Sequence, residues 1–379
     1  MLCSASFFRI SILSAIHSPA ELAGAAIILT LIILHLVYAR PVDIRQYFTT
    51  PVLLILFSGV TSMSMAYFIR DQPFGQTSIA QRPLYYYLFY FLLHQMRLKT
   101  SDLEKILVGF GIIYIVLYLI QYLLYPTIII DAYVRLNRGT VRIYFPGSDY
   151  MFIAFFLAVQ YFFRTNRMKY ALMALAAFSI FILSGGRQIM ATVVLVVVFF
   201  LIFDRHVKSR WLLSFLGLIS IVAALFIFQG IIEGILAESR RDVSMGEDYI
   251  RLKAAEYYLT DFFESPLAYV LGNGMFFNAS SYGELINYNM IYRSFVLGDI
   301  GIIGNYAIYG AFFVLGVFIL LWKTIFIKYE NDFFYVRLMF ITMALSMIIA
   351  GGFGQPATIC FLTILIYMID VSANRVSDK

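Results

Sequence analysis

The feature that most constrains this chain is a recurring apolar run of bilayer length. "LAGAAIILTLIILHLVYA" (22–39), "PVLLILFSGVTSMSMAYFI" (51–69) and "ILVGFGIIYIVLYLIQYLLY" (106–125) are early examples. A hydrocarbon core about 30 Å thick needs ~17 to 25 apolar residues in a helix. A water-soluble domain is about 25% charged, whereas this chain is 13% charged and 61% apolar, with mean hydropathy +0.83. The 379 residues therefore read as one integral membrane domain rather than as soluble modules.

The expected class is an all-α polytopic membrane protein. Spans are expected near 21–39, 51–69, 84–96, 106–125, 149–163, 170–183, 188–203, 211–229, 294–322, 337–350 and 356–371, which makes eleven. Residues 1–17, with Arg9 inside an apolar stretch and no cleavage site, read as a poor first span and make twelve. The connections alternate. One set is short and basic, as in "RTNRMK" and "DRHVKSR", and belongs in the cytoplasm by the positive-inside rule. The other set, 70–83, 126–148, the SGGR turn, 230–293 and 351–355, then faces outward.

The outward set prefers one cation. It holds ten Arg (70, 82, 135, 138, 142, 187, 240, 241, 251, 293) and one Lys, Lys253, against nine Arg and seven Lys on the cytoplasmic side. Guanidinium and ammonium set topology equally well, but only guanidinium offers a planar fork to phosphate or carboxylate. Snorkelling and pairing with outward acids is the alternative reading.

"LSGGRQIM" (183–190) interrupts one long apolar stretch. The stretch must fold back, and Gly185-Gly186 supplies the turn. Its arms, 170–183 and 188–203, are short for a full crossing at ~1.5 Å per residue, which sinks the turn into a recess. Ser184, the first amides of the second arm and Arg187 would then form an anion site. An ordinary hairpin with a snorkelled Arg fits the same residues.

The spans from 21 onward carry no Asp, Glu, Lys or Arg near their middles, which counts against an ion-coupled transporter. His35, His94, Gln121, Gln160 and Asn305 are their polar exceptions and read as hydrogen-bond glue. Cys3 and Cys360 make neither a disulfide framework nor a metal site, and four scattered His make metal chemistry unexpected. The segment 230–293 reads as a large outward loop with an amphipathic helix near 249–263. Ile250, Ala254, Tyr257, Tyr258 and Phe262 share its face, and Pro266 ends it.

Four stretches, in order, resemble the O-antigen polymerase and O-antigen ligase-like membrane glycosyltransferases. They are "RLNRGTVRIYFPGSDYMFIAFFLA", "LSGGRQIMATVVLVVV", "RLKAAEYYLTDFFESPLAYVLGNGMF" and "YRSFVLGDIGIIG", covering roughly 135–304, about half the chain. The resemblance implies a GT-C-like helical architecture in a bacterial plasma (inner) membrane, with its active site facing outward. It implies transfer of an undecaprenyl-pyrophosphate-linked glycan to a sugar hydroxyl, with inversion, loss of polyprenyl pyrophosphate and no cofactor. The implied partners are lipid-linked donor and acceptor, the bilayer and a chain-length regulator protein, with no nucleic acid. By matching position, Arg187 and Arg251 correspond to pyrophosphate-binding arginines. Arg142 and Arg293 come next, and Arg135 and Arg138 are outer-rim candidates. Ligases of the family carry a His near the helix after the large loop. Met290 stands there, beside Asn289, and no His follows His206, which favours the polymerase branch. A ligase, or a lipid-linked oligosaccharide flippase or other transporter, is the alternative. The general base is unassigned. Glu284 and Asp299 are the nearest carboxylates, and Asp299 reads equally as a cap for a helix starting near Ile300.

Overall fold

The structure, a computed structural model, describes residues 1–37, 44–137, 140–203, 240–241, 244–246, 249–348 and 352–377. The expected span at 211–229, Arg138 and residues 230–239 lie outside the described residues, as do the side chains of His35 and Arg187. The chain is mostly helical. Its helices are α1 (His17–Val37), α2 (Thr49–Arg70), α3 (Phe74–Ala80), α4 (Phe89–Met96), α5 (Thr100–Leu124), α6 (Ser148–Thr165), α7 (Met168–Leu183) and α8 (Arg187–Phe203). Further on come α9 (Ile250–Leu259), α10 (Ala268–Leu271), α11 (Ser281–Tyr292), α12 (Ile302–Phe326), α13 (Phe334–Ser346) and α14 (Pro356–Ser377).

Among the described residues, α2, α5, α12 and α14 are long and apolar enough to cross a membrane. The first three turn large apolar side chains outward: Phe57 and Phe68 on α2, Ile113 and Leu123 on α5, Phe318 and Trp322 on α12. A water-facing surface rarely tolerates such continuous apolar patches. The molecule is built as a helical membrane protein, with α14 at its centre: 89% of the apolar stretch of α14 is buried.

Several expected boundaries move. Residues 1–16 do not form a span. They make short 3-10 turns, bury Ala5 and Phe8, and bridge to the chain beyond α5 through Ile10 and Ile130. The 84–96 span is divided into a 3-10 stretch, Arg82–Leu88, and the short α4. Pro83 sits in its first turn, and its tyrosines leave to bond elsewhere: Tyr86 to the Glu21 carbonyl and Tyr87 to that of Phe353. The 294–322 span begins only at Ile302, whose amide bonds the Met347 carbonyl at 2.8 Å. The stretch before it is a 3-10 turn, Leu297–Ile300.

The all-α class holds, with one small hairpin added to it among the described residues. Strands β1 (Tyr133–Asn137) and β2 (Thr140–Tyr144) pair antiparallel between α5 and α6, with Tyr133 opposite Tyr144 and Arg135 opposite Arg142. Gln121, fully buried on α5, steadies the segment leading there. Its amide group donates to the Thr127 carbonyl, and its oxygen accepts from the Ile129 and Ile130 amides.

The expectation that no charge lies deep in a span also changes. Helix α14 runs six residues past its expected end and carries Asp370, which is wholly buried. Tyr90 donates to its carboxylate at 2.5 Å, His94 Nε2 lies 3.0 Å away, and the Tyr47 amide donates at 3.0 Å. His94 is thus interhelical glue joining α4 to α14, and Gln160 similarly ties α6 to the start of α13. A buried carboxylate survives only with such partners.

A second apolar cluster, around Tyr258, Phe262, Tyr282 and Ile286, docks the 249–300 segment onto α2 and α12. Helix α9 is shorter than expected and ends at Leu259, before Phe262 and well before Pro266. Ala254 and Tyr258 are buried on the expected face, while Ile250 is exposed. Burial pushes the Tyr258 and Tyr282 phenols up, so both stay neutral donors, to the Phe295 and Gly274 carbonyls. Helix α12 breaks at Gly310, whose φ is +77°. The Leu271–Gly274 segment enters the break. Asn273 and Gly274 amides bond the Ala307 and Ile308 carbonyls at 3.2 and 2.8 Å. Irregular backbone at membrane depth requires such replacement partners.

Candidate functional site

One end of α7 organises the site. Its last carbonyls lack helical partners, and β2 supplies them: Thr140 Oγ1 donates to Leu183 O at 2.9 Å, and Arg142 Nε to Ser184 O at 2.8 Å. A guanidinium at a helix C-terminus is also favoured by the helix dipole. Gly185, at φ +62°, then turns the chain into α8. The hairpin and the SGGR turn are held together by these bonds.

Against them lies a cavity of about 1010 Å³. Arg9, Arg142 and Arg251 line it, with Tyr133, Tyr144 and Tyr249. Ser184, Gly186 and Gln188 line it from the SGGR turn and the first turn of α8, and Asp149, Asp299, Gln355 and Thr358 complete its polar wall. Phe152, Ile189, Met339 and Met343 supply an apolar wall.

The arginines differ in how they are held. Arg142 lies 5.0 Å over the Tyr144 ring. Its cross-strand neighbour is Arg135, and like charges directly opposite each other destabilise a strand pair. A bound anion would offset that repulsion. Arg251 sits in the first turn of α9, the end where cations are least favoured. Its nearest acid is Asp299, at 4.0 Å, and both side chains remain partly exposed.

The structure brings together Arg142, Arg251 and Asp299 from the sequence candidates, along with the backbone at Arg187, which begins α8 between lining residues Gly186 and Gln188. Other candidates sit elsewhere. Arg135 is exposed beside Tyr133, whose hydroxyl is 3.3 Å away, and does not line the cavity. Arg293 is exposed over the Tyr257 and Tyr288 rings, at 5.4 and 5.8 Å. Glu284 is an exposed first-turn residue of α11, away from the cavity lining. Arg138 lies outside the described residues.

Three sequence readings need correction. Asp299 does not cap α12: the N-cap is Gly301, with no side-chain hydrogen bond, and Asp299 faces Arg251 instead. The Ser184 hydroxyl is turned back to the Phe181 carbonyl, at 2.9 Å, rather than offered with Arg187. The outward arginines are not one recognition set. Arg70 is 5% exposed, bonded to Glu264 and the Phe262 carbonyl and stacked on Phe262 and Tyr282. Arg82 pairs with Glu21 at 3.0 Å. Both brace the scaffold.

Two lining residues escaped the sequence reading. Arg9 lay in what read as a span. Asp149 sits in the first turn of α6, where negative charge is favoured, and drew no reading of its own. Its carboxylate accepts a 2.6 Å hydrogen bond from Thr358 on α14.

Comparison of the chain with protein-family models, with curated proteins and with solved structures found no match.

Proposed function

We propose that the protein is a membrane glycosyltransferase of the polysaccharide-polymerase kind. In this reading it transfers a glycan from an undecaprenyl-pyrophosphate donor to the sugar hydroxyl of a second lipid-linked unit. The observation that carries the reading is the cavity: three guanidiniums and three tyrosines converge on one chamber whose other wall is apolar. A pyrophosphate suits the guanidiniums, which bind phosphate through forked hydrogen bonds. The first isoprene units suit the wall of Phe152, Ile189, Met339 and Met343. Tyrosine rings suit the faces and edges of sugars.

The chemistry follows from that arrangement. The acceptor oxygen attacks the anomeric carbon opposite the leaving group, and polyprenyl pyrophosphate departs with inversion. Negative charge grows on the departing phosphate oxygen, and cations fixed in a recess stabilise it without reorganising. The same reading puts the cavity on the outer side of a bacterial inner membrane. It makes 230–293 the large extracytoplasmic loop of a GT-C-like architecture with eleven spans.

The test is complementation of a strain lacking this gene. Arg142→Ala and Arg251→Ala are expected to insert and accumulate normally but yield single repeat units, with turnover down by about 100-fold or more. Wild-type chain length in both variants would refute the reading. Long lipid-linked glycan that never reaches its final acceptor in the null strain would point to a ligase. Substrate trapped on the cytoplasmic face would point to a flippase.

A further inference from the structure

The cavity holds two carboxylates, and their surroundings differ. Asp299 faces Arg251 at 4.0 Å, so its charge is already answered by a cation. Asp149 has no ion-pair partner among the described residues. One of its oxygens is fixed by the Thr358 hydroxyl at 2.6 Å. It projects from the first turn of α6, between Ser148 and the apolar wall residue Phe152, on the same lining as Arg142 and Arg251. Thr358 is 4% exposed and sits on the buried central helix, so the carboxylate is tied to the packed core.

We infer that Asp149 is the base that takes the proton from the attacking sugar hydroxyl, and that Thr358 positions it. This rests on the reading of the cavity as a glycosyl-transfer site. The acceptor oxygen forms its bond to the anomeric carbon as the bond from that carbon to the phosphate oxygen breaks. The bonding pair leaves on the pyrophosphate, and the hydroxyl proton passes to the carboxylate of Asp149. Inverting transfer needs nucleophile activation on one face and charge stabilisation on the other. A carboxylate with no cation partner among the described residues and a set of guanidiniums on one chamber supply both. Arg251 answers Asp299, and Glu284 is exposed away from the lining, so neither sequence candidate fits the task as well.

The experiment uses the purified full-length chain in liposomes, with lipid-linked glycan extracted from a strain lacking the gene, and undecaprenyl pyrophosphate as the binding probe. Asp149→Asn is expected to bind the probe within about twofold of wild type and to lose about 100-fold or more in kcat. Thr358→Val is expected to lower kcat severalfold at unchanged KM, the mark of a misplaced base. Turnover of Asp149→Asn within about threefold of wild type overturns the inference. If Asp149→Asn fails to fold, an unchanged kcat in Thr358→Val overturns it instead. Failure of the underlying reading looks different: Arg142→Ala and Arg251→Ala then keep both probe binding and turnover, or the wild-type chain does neither.

Discussion

Arg70 and Arg251 share a sequence rationale and differ in surroundings. Arg70 is sealed among Glu264, the Phe262 carbonyl, Asn273 and two aromatic rings. Arg251 is partly open to the cavity and faces Asp299 at the limit of ion-pair distance. The two should fail in different ways. Arg70→Ala leaves buried acceptors unpaired and is expected to cost about 2 to 3 kcal/mol of stability, seen as a lowered midpoint of thermal unfolding in detergent. Arg70→Lys should recover little, because a single ammonium cannot hold a carboxylate, two oxygens and two ring faces together. Arg251→Ala, by contrast, should leave that midpoint nearly unchanged, because a part-exposed pair contributes little to stability. The Arg-over-Lys bias marked both residues, but only burial and partners separate a brace from a binding group.

At the scale of elements, the break in α12 carries the clearest prediction. A Cβ on Gly310 would lie 2.4 Å from the Gly272 amide nitrogen and the Val270 carbonyl oxygen, in a backbone conformation that side chains rarely adopt. Gly310→Ala is therefore expected to expel the Leu271–Gly274 backbone and loosen the segment docked on α2 and α12. Limited proteolysis between 249 and 300 should become faster, while an alanine at Gly109, which has open space around it, should change nothing. Much of the helical scaffold was legible beforehand, because hydropathy over ~20 residues reports burial in lipid directly. Helices α1, α2, α5, α6, α7 and α8 lie close to their expected ranges. What escaped was decided by tertiary partners. The hairpin had its own signature, Val-Arg-Leu and Val-Arg-Ile around a turn, but alternation over five residues is easily lost in an apolar chain. Asp370 read as the end of a span because its partners Tyr90 and His94 stand far away in sequence. Of the site, Arg142 and Arg251 were legible as cations in connections expected to face outward. Asp149 was not, since a helix-start acid needs no special reason until Thr358 and the cavity are seen beside it.

Among the described residues, an apolar exterior stands against a polar chamber, with the buried α14 between the packed helices. Nothing in hydropathy demands that contrast. It arises because the hairpin, the SGGR turn, the start of α9 and the turn before α12 all deliver polar groups to the same chamber. The central claim is that this chamber holds the pyrophosphate of a lipid-linked glycan. The most direct measurement is equilibrium binding of undecaprenyl pyrophosphate, undecaprenyl monophosphate and undecaprenol to the purified full-length chain and to its Arg142→Ala/Arg251→Ala double variant. The account predicts that the pyrophosphate binds tightest to the wild-type chain and that the double variant loses this preference, binding all three lipids alike. Equal affinity of the wild-type chain for the three lipids, or a preference that survives in the double variant, would contradict it.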